Sequence, residues 1–306
     1  MTYLPPLTLP VRTIGGRVFD FSREIVVMGI VNRTPDSFYD QGATYALDRA
    51  VDAGRRLAEA GAGWVDVGGV PFSPDVPKVS LDEELDRVIP VVAGLVEVGV
   101  VVSVDTVRPQ VARAAVEAGA GIVNDTSGLR DPEIAEVVAT TSATLVITHS
   151  AAAPGVHLRR PQYDDVVTEI RSFLADGVER AMALGIGEDQ IVIDPGHDLN
   201  KNTRHSLEIT RRLSEIADLG LPLLAAVSNK DFIGEAVDLE RGERLEASLA
   251  AATVCAVNGA RILRMHQVRE SVRAARMVET ILGLREPAYL RQIGRASCRE
   301  RVCSTV

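Results

Sequence analysis

The chain has 306 residues, of which 46% are hydrophobic, 25% charged and 4% aromatic, a composition that excludes intrinsic disorder. Its formal charge of −9, from 33 basic and 42 acidic residues mixed along the chain, excludes the basic footprint of a nucleic-acid scaffold. No apolar run approaches the roughly 20 residues of a membrane span. No signal-peptide pattern opens the chain, and three cysteines make neither a CxxC pair nor a disulfide framework. The expected setting is the cytoplasm, with no membrane and no nucleic-acid partner.

Residues 1–24 form an N-terminal segment in which Thr13–Asp20 reads as a small hairpin, placed to close the floor of the main domain. Eight short, β-branched apolar runs then predict strands at Ile25–Val31, Trp64–Gly68, Val100–Asp105, Gly121–Asp125, Thr144–His149, Gln190–Asp194, Pro222–Val227 and Arg261–His266. They are almost uniformly apolar, as strands covered on both faces are. Helical patterns come after them. In Tyr45–Ala60, Leu47, Ala50, Val51, Leu57 and Ala58 share one face, and the last helix repeats this from Val268 to Leu282, with Gly283 as its C-terminal stop. The near-repeats at 59–64 and 117–122, both beginning Glu-Ala-Gly-Ala-Gly, join helix ends to strand starts. They are helix-terminating turns and not the phosphate loop of a dinucleotide fold, which would come after a strand.

Eight βα units over residues 25–285 predict an α/β protein, a (β/α)8 TIM barrel with a short N-terminal hairpin. An open doubly wound sheet is the alternative. Residues 286–306 form a tail. Its last part, Ile293–Val306 (IGRASCRERVCSTV), has no period or capping logic, resembles a translated sequencing adapter and is expected to lie outside the fold. It holds Cys298 and Cys303, which leaves Cys255 as a core cysteine.

Every predicted strand ends in polar groups. They are Asn32; Asp66 before Gly68; Asp105; Asn124 and Asp125; Thr148 and His149; Asp194 with His197 and Lys201 beyond; Ser228, Asn229 and Lys230; and Arg264 and His266. In a barrel these converge on one mouth. Folding does not require such an assembly, since desolvating polar groups is costly, so it implies a polar ligand. Asp105, Asn124 and Asp194 suit two-point hydrogen bonding to a planar N–C–N edge, and Lys230 a ring carbonyl or nitrogen. Arg264 and His266, on alternate positions of one strand, make with Asn32 a phosphate and magnesium corner. The sequence has no zinc-ligand spacing and no GxSxG nucleophile elbow. Trp64 and Cys255 read as packing, His157 and His205 as surface, and His149 and His197 as candidates for the rim.

Six segments in order carry a resemblance. They are Gly29–Phe38 (GIVNRTPDSF), Val65–Gly69 (VDVGG), Val102–Thr106 (VSVDT), Ile122–Asp125 (IVND), Ile193–Gly196 (IDPG) and Arg264–His266 (RMH). From about residue 12 to 285 the chain resembles the dihydropteroate synthase family. The resemblance implies a pterin-binding barrel, usually a homodimer, that joins 6-hydroxymethyl-7,8-dihydropterin diphosphate to 4-aminobenzoate in folate biosynthesis, releases diphosphate, needs Mg²⁺ and is the target of sulfonamides. It assigns pterin contacts to Asp105, Asn124, Asp194 and Lys230, diphosphate contacts to Asn32, Arg264 and His266, and the metal to Asn32. Asp36, in the first loop, would help cover the reactive centre, so the expected catalytic set is Asp36, Asp105 and Lys230.

The sequence departs from that pattern on the acceptor side. Where the family reads GGESTRP, this chain has Gly68-Gly69-Val70-Pro71-Phe72-Ser73-Pro74, and the arginine of the family's SRK is Asn229. His197-Asp198-Leu199-Asn200 stands where the family tends to FGFG. Two charge-assisted contacts, worth roughly 1.5–3 kcal/mol each, are therefore missing. Three readings are open: a working synthase with altered acceptor contacts, a paralogue that binds pterin diphosphate with weak or no synthase activity, and, more remotely, a methyltetrahydrofolate-dependent methyltransferase.

Overall fold

The structure is a computed structural model, and it describes residues 4–34, 46–71, 78–156, 158 and 160–290. Asp36, Phe72, Ser73, His157 and the segment Ile293–Val306 lie outside the described residues.

Ten strands are described. A hairpin pairs β1 (Val11–Ile14) with β2 (Arg17–Asp20), Ile14 opposite Arg17. Eight parallel strands then close a barrel: β3 (Val26–Asn32), β4 (Trp64–Gly68), β5 (Val102–Asp105), β6 (Ile122–Asp125), β7 (Thr144–Thr148), β8 (Ile191–Asp194), β9 (Leu223–Ala225) and β10 (Ala260–Met265), with β10 returning to β3. The predicted barrel is therefore present and the open sheet is not. Around it run α1 (Leu47–Glu59), α2 (Leu81–Glu97), α3 (Pro109–Glu117), α4 (Pro132–Ala139), α5 (Val166–Ala183), α6 (Thr203–Arg211), α7 (Leu213–Ala217), α8 (Asp231–Val237), α9 (Leu245–Val257) and α10 (Val268–Ile281). The strand bounds differ from the sequence expectation mostly by one or two residues. The largest change is at β9, which is shorter than Pro222–Val227. Pro222 has no amide to give a ladder, and the chain beyond Val227 turns through a left-handed residue, Asn229 (φ +60°). Gly61 and Gly119 adopt φ near +100° just past α1 and α3, as helix-terminating turns require.

The barrel has two cores of different composition. Strand faces turned to the helices carry aliphatic residues such as Val65, Val67, Val104, Leu145, Ile147 and Ile193. The lower interior holds Met28, Trp64, Val101, Ile122, Val146, Val192, Leu224 and Ile262, and the hairpin plugs it from below with Ile14, Phe19 and Phe21. Phe19 and Phe21 both meet Trp64 edge-on at about 6 Å. Two residues further up the same strands, on the same inward face, sit Asp66 after Trp64, Ser103 after Val101, Asn124 after Ile122, Thr148 after Val146, Asp194 after Val192 and Arg264 after Ile262. The interior therefore changes from apolar to polar within one pleat. Cys255 is buried on α9. Among the described residues, no helix is long and apolar enough to cross a membrane.

Candidate active site

Strand register builds the mouth. Asn32, Gly68, Asp105 and Asn124 are successive partners across β3, β4, β5 and β6. Gly68 leaves the space between its neighbours open, since a Cβ there would stand 3.3 Å from Asn32 Oδ1 and 3.7 Å from Asp105 Cβ. Further round, Asp194 pairs with Thr148.

A residue outside the expected set organises this rim. Asp66 is fully buried. Its Oδ2 accepts from Arg264 Nε at 2.7 Å and from Asn124 Nδ2 at 3.1 Å, and its Oδ1 accepts from Ser103 Oγ at 2.6 Å. Arg264 Nη2 also donates to Asp105 Oδ2 at 3.2 Å. The guanidinium thus bridges two carboxylates, and its Nη1 hydrogens take no part in these contacts. Arg264, expected on the diphosphate, is here held by the two carboxylates Asp66 and Asp105. With Nδ2 fixed by a carboxylate, the Asn124 amide can turn only one way, and its Oδ1 is left buried without a partner. Thr148 Oγ1, on the same inner face, is also buried and unpartnered. An unsatisfied buried acceptor costs about 1–3 kcal/mol, and a ligand carrying N–H groups would remove that cost.

The ionisable groups sense one another. Burial pushes the Asp105 carboxyl up to about 7. The neighbouring Asp66 adds to this, while Arg264 and Lys230 oppose it. Burial also raises Asp194 to about 6 against the pull of the Gly196 amide, Lys230, Lys201 and Arg264. Lys230 is lowered by burial and by Arg264, with Asp198, Asp194 and Asp105 acting the other way. Asp66 and Asp105 hold Arg264 above its ordinary value although burial opposes them. The structure therefore brings Asp105, Asn124, Asp194, Lys230 and Arg264 together. His266 lies just past β10, its Nδ1 3.0 Å from Ser228 Oγ, which also accepts from His266 N.

The surrounding loops are fixed from behind. Asp194 Oδ1 accepts from Gly196 N at 2.7 Å. Gly196 has φ +66°, and a Cβ there would stand 2.2 Å from His149 O. Lys201 is buried and donates to three carbonyls, those of Gly196, Leu199 and His149, and burial lowers it to about 7. The His149 ring meets Phe173 of α5 edge-on at 4.8 Å. It belongs to the helix layer and not to the rim. His205, expected at the surface, is half-buried, and its Nδ1 accepts from Asn202 N in a capping box on α6. Glu84 of α2 is buried, accepts from Thr106 Oγ1 at 2.6 Å and pairs with Arg108 at 2.8 Å, tying the segment after β5 to the helix. Asn229, where the family has arginine, turns aside: its Oδ1 accepts from Gly242 N at 3.5 Å and its carbonyl from Arg244 Nη1 at 3.2 Å. Asp66 and Asp198 were legible as polar residues beside the mouth, but spacing alone carries no sign of what they hold.

Asp66, Asn124, Arg264 and Asp105 thus form one linked set at the barrel mouth. The model of the pterin binding enzyme family matches residues 28–266. The chain belongs to the pterin-binding family that includes dihydropteroate synthase. It is 42% identical over 282 residues to "Inactive dihydropteroate synthase 2" of Mycobacterium tuberculosis (strain ATCC 25618 / H37Rv), covering 90% of this chain and 88% of that protein. It is 39% identical over 261 residues to the dihydropteroate synthase of Escherichia coli (strain K12), covering 85% and 93%. The Xanthomonas albilineans dihydropteroate synthase, solved with 4-aminobenzoic acid, superposes with a TM-score of 0.82 at 39% identity, over 89% of this chain and 98% of that one. This chain is a divergent member of the family, similar both to a relative named dihydropteroate synthase and to one named inactive.

Proposed function

We propose that this protein is a dihydropteroate synthase-type transferase of folate biosynthesis, acting on 6-hydroxymethyl-7,8-dihydropterin diphosphate in the cytoplasm. The observation that carries the reading is the Asp66–Asn124–Arg264–Asp105 network, which leaves Asn124 Oδ1 buried and unpaired beside two carboxylates. A pterin ring supplies what that wall lacks: an N–C–N edge for Asp194, and an N–H for Asn124. Lys230 donates to the ring carbonyl or nitrogen. The C–O bond to diphosphate breaks and the leaving group takes the electron pair. Arg264 and His266 stabilise its growing negative charge, and Asp105 the positive charge left on the pterin methylene. The arylamine nitrogen then forms the C–N bond and loses its proton, with no covalent enzyme intermediate.

The Asn32 amide oxygen suits Mg²⁺, which takes few protein oxygens and completes its shell with substrate phosphates and water. Bound there, the ion would neutralise charge on the leaving diphosphate. Two copies would associate, as the family resemblance implies. Exposed Val254 on α9 with Met277 and Ile281 on α10 supply apolar surface for that contact.

A second reading is favoured by one observation, the placement of Asn229 away from the mouth. Without a guanidinium there, the carboxylate of 4-aminobenzoate loses a planar two-point partner. The pterin half-reaction then survives while condensation is slow. Diphosphate release measured with and without 4-aminobenzoate tests both readings. The expected result is slow release, with pteroate formation rising at least tenfold in the triple variant Phe72→Thr, Ser73→Arg, Asn229→Arg, since each restored charge-assisted contact is worth roughly 1.5–3 kcal/mol. Full turnover by the native chain would remove the second reading. Tight pterin binding with no product from either form would remove the synthase reading.

A further inference from the structure

The loop after β8 carries two side chains that the pterin chemistry above does not use, and both reach the same short helix. Asp198 sits in left-handed backbone at φ +64°, a conformation that aspartate enters more readily than most residues. Its Oδ2 accepts from the backbone amides of Asp231 at 2.8 Å and Phe232 at 3.4 Å. Its Oδ1 accepts from Ser206 Oγ at 3.1 Å, and Ser206 Oγ accepts from Asp198 N at 3.2 Å. One residue earlier, the buried His197 ring stacks on Phe232 with centroids 5.8 Å apart and planes at 23°. The far edge of that ring is held by Thr210, whose Oγ1 is 3.2 Å from His197 Nε2.

Asp231 and Phe232 are the first two residues of α8, and Lys230 immediately precedes them as the helix N-cap. A lysine side chain has no acceptor for helix amides. Asp198 supplies that acceptor from the neighbouring loop, and His197 holds the next side chain, so the segment grips the start of α8 at two points. The charged groups acting on the Lys230 ammonium come from several elements. Asp194 of β8 and Asp105 of β5 favour its protonated form, Arg264 of β10 disfavours it, and Asp198 is the strongest of the favourable partners. The same carboxylate also favours the charged form of Lys201.

We propose that His197 and Asp198 are positioning residues for Lys230, a clamp that sets the start of α8 and presents the ammonium to the pterin ring. This rests on the pterin role given to Lys230 above. It makes the departure at this loop a constructive one, since the residues that stand in place of the family's pattern there support the pterin side.

The test is titration calorimetry of the full chain with 6-hydroxymethyl-7,8-dihydropterin diphosphate and Mg²⁺, from neutral to alkaline pH. The native protein is compared with Asp198→Asn and Asp198→Gly, each with a thermal melt. Asparagine keeps an acceptor and tolerates the left-handed backbone but removes the charge. The expected Asp198→Asn protein melts with the native one, binds about tenfold more weakly, and loses binding at a lower pH. The sign is set because a carboxylate that favours the ammonium raises its pKa, and removing it lets the ammonium deprotonate sooner. Asp198→Gly loses cap and counter-charge together and binds more weakly still. Should the glycine variant not fold, the asparagine variant decides. If the native chain binds and the Asp198→Asn titrations superimpose on it in affinity and pH profile, the clamp is overturned, even where the melt is lowered. A native chain that binds no reduced pterin overturns the pterin reading itself, and the clamp with it.

Discussion

Asp66 shows how one carboxylate can decide several side-chain orientations. It accepts from Arg264, Asn124 and Ser103 inside the barrel, and it fixes the direction of Asn124 and Ser103, while Arg264 reaches Asp105 as well. Breaking a buried pair by removing one partner costs about 3–5 kcal/mol. Arg264 is partly exposed and keeps Asp105, so Asp66→Asn is expected near the lower end, about 3 kcal/mol, in denaturant unfolding. A loss within the ~0.5 kcal/mol of an ordinary surface change would show that the network is not structural. The neighbouring Asp105 has a pH signature. Its folded value is raised to about 7 by burial and Asp66, and that of Asp194 to about 6 by burial. The folded chain therefore holds protons that the unfolded chain has already released. The stability from these groups is present below about pH 4 and is lost as pH rises towards about 7. Without ligand, their contribution makes the protein melt higher near pH 5 than near pH 8. Asp105→Asn should shrink that difference, and an unchanged difference would contradict the assignment.

Pro90 interrupts α2, and its missing amide leaves the carbonyl of Asp86, four residues earlier, without its helical donor. Arg33, directly after β3, fills the gap: its Nη1 donates to Asp86 O at 2.8 Å and to Arg87 O at 3.1 Å. From the next residue, Arg87 donates to Gly69 O at 2.8 Å. The helix thus anchors the segments leaving β3 and β4, and the proline is what makes room for one of them. In a double-mutant cycle, Arg33→Ala is expected to cost about 1 kcal/mol in the native background and clearly less once Pro90→Ala restores the amide. Equal costs in both backgrounds, read from unfolding curves, would break this link. The proline was visible in the sequence only as an interruption of an apolar run. The arginine to which it gives a partner lies 53 residues from Asp86 along the chain, beyond the reach of periodicity.

The barrel itself was legible. Eight apolar runs, each leading into a helical pattern and each ending in polar residues, map onto β3 to β10. The inward alternation was hidden, because the same strands are apolar on their helix-facing side and for the lower half of the interior face, so Trp64-Val65-Asp66-Val67 reads as a run with one polar intruder. The expected rim residues Asp105, Asn124, Asp194, Lys230 and Arg264 do meet. What spacing could not supply was the organiser, Asp66, or the support under Lys230, since both depend on hydrogen bonds between segments distant in sequence. A barrel whose floor is plugged by its own hairpin can give its whole upper interior to a ligand. The most direct measurement is calorimetric titration of the native protein with 6-hydroxymethyl-7,8-dihydropterin diphosphate and Mg²⁺, alongside Asp105→Asn and Asp194→Asn. The account predicts one saturable site per chain that weakens at least tenfold in either variant, as the loss of a charge-assisted contact worth roughly 1.5–3 kcal/mol requires. Absence of binding by the native protein, or binding that neither substitution changes, would contradict it.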